Sequence, residues 1–225
     1  MLDYGRMLKG REAAVVGCET AMGLETARLF VSHGARVAIF GKSEAGLAET
    51  LRHLSETRGD VSAFAYAPGD GGSVRAACGR ALETLPSIDV CVFIEQIGEP
   101  DGLDKILSAG IVDAARFAKA FLPSMLEARR GNFVFLIPDL LDGAPDGMAA
   151  RAANAGAVFA YARNMAADYI RYRVRANCVL YPHSGLDESA GANIANAALW
   201  LSCGLSRFVV GDYVRVGNDI RAVSS

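Results

Sequence analysis

An apolar run passes through a glycine turn into a helical pattern in the stretch Val15-Val16-Gly17-Cys18-Glu19-Thr20-Ala21-Met22-Gly23-Leu24. The β-branched residues before Gly17 favour a buried strand, and the residues from Met22 to Ser32 have the apolar spacing of a helix. A glycine turn between a strand and a helix is typical of the first half of a β-α-β unit. The stretch therefore predicts the start of a parallel sheet.

The same alternation of strand and helix patterns extends over the rest of the chain. The predicted strands are Ala13–Gly17, Arg36–Phe40, Val61–Tyr66, Val90–Ile94, Asn132–Ile137, Arg175–Leu180 and Tyr213–Val216. The predicted helices are Met22–Ser32, Glu44–Thr57, Ser73–Thr84, Leu103–Ala128, Ala149–Tyr172 and Ala190–Cys203. The strands are almost continuously apolar, as in sheets buried on both faces. The pattern predicts one α/β domain over residues 1–225, with a seven-stranded parallel sheet covered by helices on both faces.

The composition excludes several classes of protein. A formal net charge of -2 favours neither a nucleic acid nor a membrane surface as partner, and we expect the arginines at 171, 173 and 175 to form a solvated rim. We see no signal-peptide layout and no apolar run long enough to span a bilayer. The chain has five cysteines without a Cys-x-x-Cys pair, and four of them have the surroundings of buried thiols. We therefore expect a reduced, cytoplasmic protein.

A series of landmarks follows the glycine turn in a characteristic order. They are Ile88-Asp89-Val90, Ala120–Met125, Arg129–Asn132, Arg175–Val179 with Pro182, and Gly211–Val216. In this order and spacing, the chain from Lys9 to Val223 resembles a short-chain dehydrogenase/reductase. The resemblance implies a Rossmann-type, doubly wound fold. It also implies a dinucleotide at the glycine turn and a catalytic Tyr-x-x-x-Lys pair.

The positions that would hold the cofactor depart from the family pattern. Ala21 stands at the position of the family's middle glycine and places a methyl group where the backbone should approach a pyrophosphate. Glu19 adds a negative charge in the same loop. Lys42 stands where an acidic residue would bind a ribose, which leaves an NADP phosphate as an alternative ligand. Ala67 replaces the residue that contacts adenine, and Phe93–Gln96 replaces Asn-Asn-Ala-Gly. We expect no cofactor to bind this chain, and Glu95 to face water.

The catalytic positions depart further. The resemblance assigns the family's asparagine, serine, tyrosine and lysine to Gly110, Pro138, Arg151 and Ala155. A guanidinium stays protonated at ordinary pH and cannot exchange a proton as a phenol does. Losing one acid or base alone costs roughly 10²–10⁴-fold. We therefore predict no catalytic residue in this chain, and no cluster has the spacing of a metal site.

Three hypotheses for the function remain. The family pairs two long helices across its subunit interface, here near Leu103–Ala128 and Ala149–Tyr172, and the second is rich in alanine. The first hypothesis is a catalytically silent subunit in a hetero-oligomer, expected to be a tetramer, with an active paralogous dehydrogenase that binds NAD. The second is a stand-alone oxidoreductase with relocated chemistry at His183, Tyr181 or Glu95, using NADP through Lys42. The third is a ligand-sensing module on the same fold.

Overall fold

The fold is an α/β sandwich built on one parallel sheet, in a computed structural model that describes residues 5–57, 59–95, 102–184 and 188–217. The strands are β1 (Glu12–Val16), β2 (Arg36–Gly41), β3 (Val61–Ala65), β4 (Val90–Ile94), β5 (Gly131–Pro138), β6 (Val174–Tyr181) and β7 (Tyr213–Arg215). The helices are α1 (Ala21–Ser32), α2 (Glu44–Leu54), α3 (Gly71–Thr84), α4 (Leu103–Leu107), α5 (Asp113–Ala128), α6 (Ala149–Tyr169) and α7 (Glu188–Ser202).

The seven strands are all parallel, in the order β3-β2-β1-β4-β5-β6-β7. The order reverses between β1 and β4, which is the point where doubly wound sheets bind ligands beyond the carboxyl ends of their strands. The predicted fold class, a doubly wound Rossmann-type sheet, is confirmed. The predicted bounds of the seven strands differ from the observed ones by at most one residue at either end.

Two apolar cores cover the two faces of the sheet. Residues of α3, α5 and α6 pack on one face around a group of phenylalanines, in which the rings of Phe40 and Phe117 meet edge to face at 5.2 Å. Residues of α1, α2 and α7 pack on the other face. Burial of apolar side chains on both faces accounts for the continuous apolar strands that the sequence shows.

Side-chain caps start three of the helices at the carboxyl edge of the sheet. The hydroxyl of Thr20 accepts from Gly23 N, and that of Ser43 accepts from Gly46 N, both at 3.1 Å. Asp70 accepts from Gly72 N at 2.7 Å. Such caps satisfy amides that have no partner within the helix, so they fix the points at which the chain leaves each loop.

The predicted helix over Leu103–Ala128 is interrupted. A π-helical turn over Ser108–Val112 separates α4 from α5, and Gly110 lies within it at φ -92° and ψ -106°, outside helical geometry. A single π-helical turn is enough to kink a helix. The interruption contacts α6, because Ile111 N in this turn donates to the side chain of Asn154.

The expectation of a solvated arginine rim is wrong for Arg175. Its side chain is 7% exposed, and its guanidinium donates to carbonyl oxygens at the end of α7 and in the loop that follows. Those carbonyls have no partner within the helix, so a buried cation satisfies them. The five cysteines are all free and buried, one more than expected. No helix in the described part of the chain is long and apolar enough to cross a membrane.

Candidate functional site

The candidate site lies at the carboxyl edge of the sheet, in the loops that follow β1 to β6. The loop after β1 is tightly built. Gly17 has φ +91°, and a Cβ on Gly23 would collide with the backbone of Gly17 and Cys18. Both glycines are therefore required by the turn and by close helix–strand packing, whether or not a phosphate binds. Ala21 is exposed at the start of α1.

Glu19 reaches from this loop to the start of α2. One oxygen of its carboxylate accepts from Lys42 N at 2.7 Å, and the other accepts from Ser43 N at 3.2 Å and from the Ser43 hydroxyl at 2.8 Å. A helix N-terminus attracts anions because its amides lack partners. A carboxylate of the chain itself thus binds the amides of Lys42 and Ser43. The resemblance assigns the cofactor ribose or its phosphate to this strand end.

The loop after β3 is held against α5. The carboxylate of Asp113 is fully buried, accepts from Gly69 N at 2.6 Å and pairs with Arg116 at 2.8 Å. Arg116 also donates to the carbonyl of Gly69 at 2.8 Å. Burial raises the pKa of Asp113, and these partners oppose the rise. These bonds fix the loop that contains Ala67 to α5. Ala67 places a methyl group at the position that the resemblance assigns to the adenine contact.

Asn154 is a site residue that the sequence reasoning missed. It is fully buried in α6, and its Oδ1 accepts from Ile111 N at 2.8 Å, inside the π-helical turn. Its side chain fills the space that a Cβ on Gly110 would need. Asn154 and Gly110 are therefore complementary, and an asparagine at position 110 would not fit beside Asn154. The sequence offered only a polar residue among alanines as a signal.

The other positions assigned to catalytic residues lie along β5 and α6. Pro138 ends β5 and is buried, Arg151 lies partly buried in the first turn of α6, and Ala155 is fully buried one turn later. Arg151 and Ala155 are on the same side of the helix, as the spacing of a Tyr-x-x-x-Lys pair requires. The positions are in the family geometry, but their side chains carry no group that can exchange a proton near neutral pH.

A cavity of about 220 Å³ lies where these elements meet. It is lined by Thr20, Met22, Glu95, Pro138, Leu140, Met148, Arg151, Tyr181 and His183. The structure thus brings together the three residues of the relocated-chemistry hypothesis, Glu95, Tyr181 and His183. Lys42 is not among the lining residues. In the described part of the chain, no group of three or more acidic, histidine or cysteine side chains could hold a metal ion.

The expectation that Glu95 faces water is wrong. Its side chain follows β4 directly and is 6% exposed, and it lies near Asn154 and Arg151 of α6 and Tyr181 of β6. Burial raises the pKa of the Glu95 carboxyl from 4.5 to about 7, and the nearby Asn154 amide and Arg151 guanidinium oppose the rise. Its neighbour Gln96, the last residue of the altered segment, lies outside the described residues.

Tyr181 and His183 differ in burial. Tyr181 is 9% exposed, and burial, with the nearby Glu95 carboxyl, raises the pKa of its hydroxyl far above the usual range. An acid/base catalyst needs a pKa near the working pH, so Tyr181 does not reproduce the family's tyrosine. His183 is exposed at the cavity mouth, and within the described ranges no hydrogen bond orients its imidazole.

We expect Glu95→Gln to stabilise the fold at high pH. A carboxyl with a raised pKa in the folded state contributes stability below its unfolded value of 4.5, and this contribution is lost as the pH rises through about 7. At about 1.4 kcal/mol per pKa unit, the free energy of unfolding of the variant at pH 8 should exceed that of the wild type by up to about 3 kcal/mol. Denaturant unfolding at pH 5 to 8 measures the difference.

The matched control is Glu83→Gln, because Glu83 is exposed on α3. It should leave the free energy of unfolding within about 0.5 kcal/mol of the wild type at each pH. A Glu95→Gln variant that is less stable than the wild type at pH 8 would show that the carboxylate is well solvated or paired.

Comparisons with known proteins agree with this geometry. A model of the short chain dehydrogenase family matches residues 11–183. The chain is 26% identical over 261 residues to momilactone A synthase of Oryza sativa, covering 98% of this chain and 93% of that protein. It is 31% identical over 182 residues to 2-(S)-hydroxypropyl-CoM dehydrogenase 3 of Xanthobacter autotrophicus, covering 76% and 71%.

Solved structures show the same fold. A 7α-hydroxysteroid dehydrogenase in complex with NADH and 7-oxo glycochenodeoxycholic acid superposes with a TM-score of 0.87 at 19% identity, over 96% of both chains. The citronellol catabolism dehydrogenase AtuB of Pseudomonas aeruginosa superposes with a TM-score of 0.86 at 21% identity, over 96% of this chain and 97% of that one. From the matched residues, the sheet order and the family landmarks, this chain belongs to the short-chain dehydrogenase/reductase family of oxidoreductases.

Proposed function

We propose that this chain is a catalytically silent, cytoplasmic subunit of a hetero-oligomeric NAD-dependent oxidoreductase. It binds no cofactor itself and stabilises or completes an active paralogous subunit, which binds NAD and carries the Tyr-x-x-x-Lys pair. The proposed pairing resembles hydroxybenzylsuccinyl-CoA dehydrogenase, in which one of two related subunits lacks a working site.

The observation that carries the proposal is the position of Glu19. Its carboxylate already occupies the amides of Lys42 and Ser43. A phosphate brought to the same amides would lose those two donors and meet a fixed negative charge. The amide donors at this strand end are therefore already taken by a residue of the chain. The proposal that NAD and NADP bind elsewhere in the complex follows from this competition.

The exposed side of α6 supports the proposed assembly. Small residues lie along it at helical spacing, at Ala149, Ala153, Ala160 and Ala167. Large apolar side chains are also exposed nearby, with Val112 before α5 at 39% and Ile170 after α6 at 42%. Small residues allow two helices to approach closely, and exposed apolar residues gain free energy when a partner covers them. A paralogue can replace one copy at such a surface, because symmetric oligomers reuse one patch.

The stand-alone oxidoreductase remains the second candidate, because the cavity gathers Glu95 and His183 beside the position of the family's tyrosine. A carboxyl whose pKa is about 7 has the value that a general base needs. Against it stand the occupied amides at Lys42 and the raised pKa of Tyr181. Cofactor binding separates the two candidates.

We expect the isolated chain not to bind NAD, NADH, NADP or NADPH with a dissociation constant below about 1 mM, which corresponds to about 4 kcal/mol of binding free energy. The physical reason is the combination of the Glu19 carboxylate and the methyl groups of Ala21 and Ala67. Isothermal titration calorimetry measures it, with an active family member of intact glycine loop as the control in the same buffer. A micromolar dissociation constant for this chain, with turnover of an alcohol, would favour the stand-alone enzyme.

A further inference from the structure

The amino edge of the sheet, opposite the candidate site, carries a concentration of arginines. All strands of a parallel sheet begin at the same edge, so the residues just before neighbouring strands lie close together. Arg11, Arg130 and Arg173 directly precede β1, β5 and β6, and Arg175 is the second residue of β6. These four arginines and Arg207, from the loop after α7, line a cavity of about 170 Å³. Five arginines therefore border one small space.

Acidic groups do not balance these positive charges. Among the described residues that line the cavity, only Asp89 is acidic. Its buried carboxylate accepts from Arg130 Nε at 2.5 Å and lies 3.8 Å from Arg11 Nη1. The excess does not reflect a basic chain, because the formal net charge of the whole protein is -2. A concave site lined by one sign of charge attracts ions of the opposite sign.

Two arginines of the cavity have their donors available. Arg173 and Arg207 are exposed, and within the described ranges neither forms an ion pair or donates a side-chain hydrogen bond. The guanidinium of Arg207 lies over the ring of Phe208, at 4.6 Å from its centroid. Each guanidinium therefore offers N–H groups to an acceptor that enters the cavity.

Arg175 is an independent sign of a missing anion. It is 7% exposed, and its Nη1 and Nη2 atoms donate to carbonyl oxygens at the end of α7 and in the following loop. None of these bonds uses Nε, and no carboxylate pairs with this guanidinium in the described part of the chain. Buried charges in proteins are normally paired with an opposite charge. The buried cation on the cavity wall therefore points to an anion that the described residues do not supply.

The chemistry of the cavity favours a phosphate group. A guanidinium presents its N–H groups as a fixed fork that matches two oxygens of a phosphate or a carboxylate. The excess of positive charge attracts a dianion more strongly than a monoanion, because Coulomb energy scales with the charge of the ion. The volume of about 170 Å³ is below that of ligand pockets in general, which is about 300–1,000 Å³. The cavity therefore suits a phosphate group with few further atoms.

We propose that this cavity binds a phosphate dianion, either free phosphate or the phosphate group of a small monoester. The exposed Arg173 and Arg207 and the buried Arg175 donate to the phosphate oxygens. Arg11 and Arg130 remain paired with Asp89 and add to the positive potential. The site lies at the opposite edge of the sheet from Glu19, so it is separate from the position that the family uses for a dinucleotide.

The inference goes beyond the proposed function and does not depend on it. It concerns the isolated full chain, and it requires neither a partner subunit nor hydride transfer. Phosphate binding by a chain that never retains a dehydrogenase would overturn the proposed function alone. A mixed oligomer whose chain binds no phosphate would overturn the inference alone.

The test titrates the chain with inorganic phosphate and with methyl phosphate, observed by ³¹P NMR and calorimetry at pH 7.5 and low salt. Acetate, a monoanion, is the matched probe. We expect both phosphates to saturate one site with a dissociation constant of about 1 mM or below, and acetate to bind at least tenfold more weakly. Tighter binding of methyl phosphate would identify a monoester as the ligand, and equal or tighter binding of inorganic phosphate would identify the free ion. Binding of acetate as tight as that of phosphate, or no saturable phosphate binding, would overturn the proposal.

Substitutions separate this site from general attraction to a positive surface, and circular dichroism verifies that each variant is folded. Arg173→Gln and Arg207→Gln should each weaken phosphate binding at least fivefold, because each removes a charged donor. The control is Arg75→Gln, since Arg75 is exposed on α3 and does not line the cavity. It should bind phosphate as the wild type does. If all three variants lose affinity equally, or if none does, the phosphate is not held by the arginines of this cavity.

Discussion

Replacing Ala153 by tryptophan is expected to weaken assembly of the proposed hetero-oligomer strongly while leaving the isolated chain folded. Ala153 is exposed in the middle of the small-residue side of α6, so the indole would project toward the partner's helices and hold the two backbones apart. Well-packed interfaces do not accommodate an added bulky side chain without loss of contacts elsewhere. We expect at least hundredfold weaker association, about 2.8 kcal/mol. Light scattering of the co-purified complex measures it.

The control is Ala45→Trp, because Ala45 is also exposed but lies on α2, on the opposite face of the sheet. This variant should assemble normally, and the thermal unfolding of both isolated variants should be close to that of the wild type. If Ala153→Trp assembles as well as Ala45→Trp does, α6 is not the interface.

The double replacement of Arg151 by tyrosine and Ala155 by lysine is expected to give no hydride transfer above background and a less stable protein. The methyl group of Ala155 is fully buried, so a lysine there must displace packed neighbours, at about 1–3 kcal/mol. Pro138, Gly110 and the loop at Glu19 remain unrepaired. Catalytic residues act as a unit, so a partial set yields little of the total rate. Nicotinamide absorbance and denaturant unfolding measure the two effects.

The single variant Ala155→Lys separates the effect on stability from the effect on chemistry. Its free energy of unfolding should be as low as that of the double variant, and its rate of hydride transfer should also be at background. Adding Gly110→Asn should destabilise the protein further, since Asn154 fills that space. A double variant with clear cofactor-dependent turnover would show that the cofactor site is intact and that the proposal of a silent subunit is wrong.

The fold could be predicted because its signals are local. β-branched runs, helical spacing and glycine turns each depend on neighbouring residues, and the strand bounds follow from them to within one residue. The break at Gly110 could not be predicted, because it depends on the side chain of Asn154, which is distant in sequence and bonds to Ile111. The burial of Arg175 likewise depends on carbonyl groups near α7.

The sequence predicts which catalytic and cofactor-binding positions of the family carry other residues. It does not predict how the side chains of the site contact one another. The sequence indicates that Arg151 and Ala155 stand where a tyrosine and a lysine are expected. It does not indicate that Glu19 binds the amides at the start of α2, or that Glu95 is buried. Both facts arise from segments that meet only in the folded sheet. Polar residues in loops therefore carry the least reliable sequence-based expectations.

The most direct test of the account is co-expression of this chain, bearing an affinity tag, with a paralogue that has Tyr-x-x-x-Lys intact. The purified material should be a mixed oligomer by light scattering and should oxidise an alcohol with NAD. Replacing the paralogue's catalytic tyrosine by phenylalanine should leave the oligomer intact and abolish its activity, because the proposed function assigns all the chemistry to the paralogue. A tagged chain that never retains a dehydrogenase, or a mixed oligomer that keeps its activity after that replacement, would contradict the account.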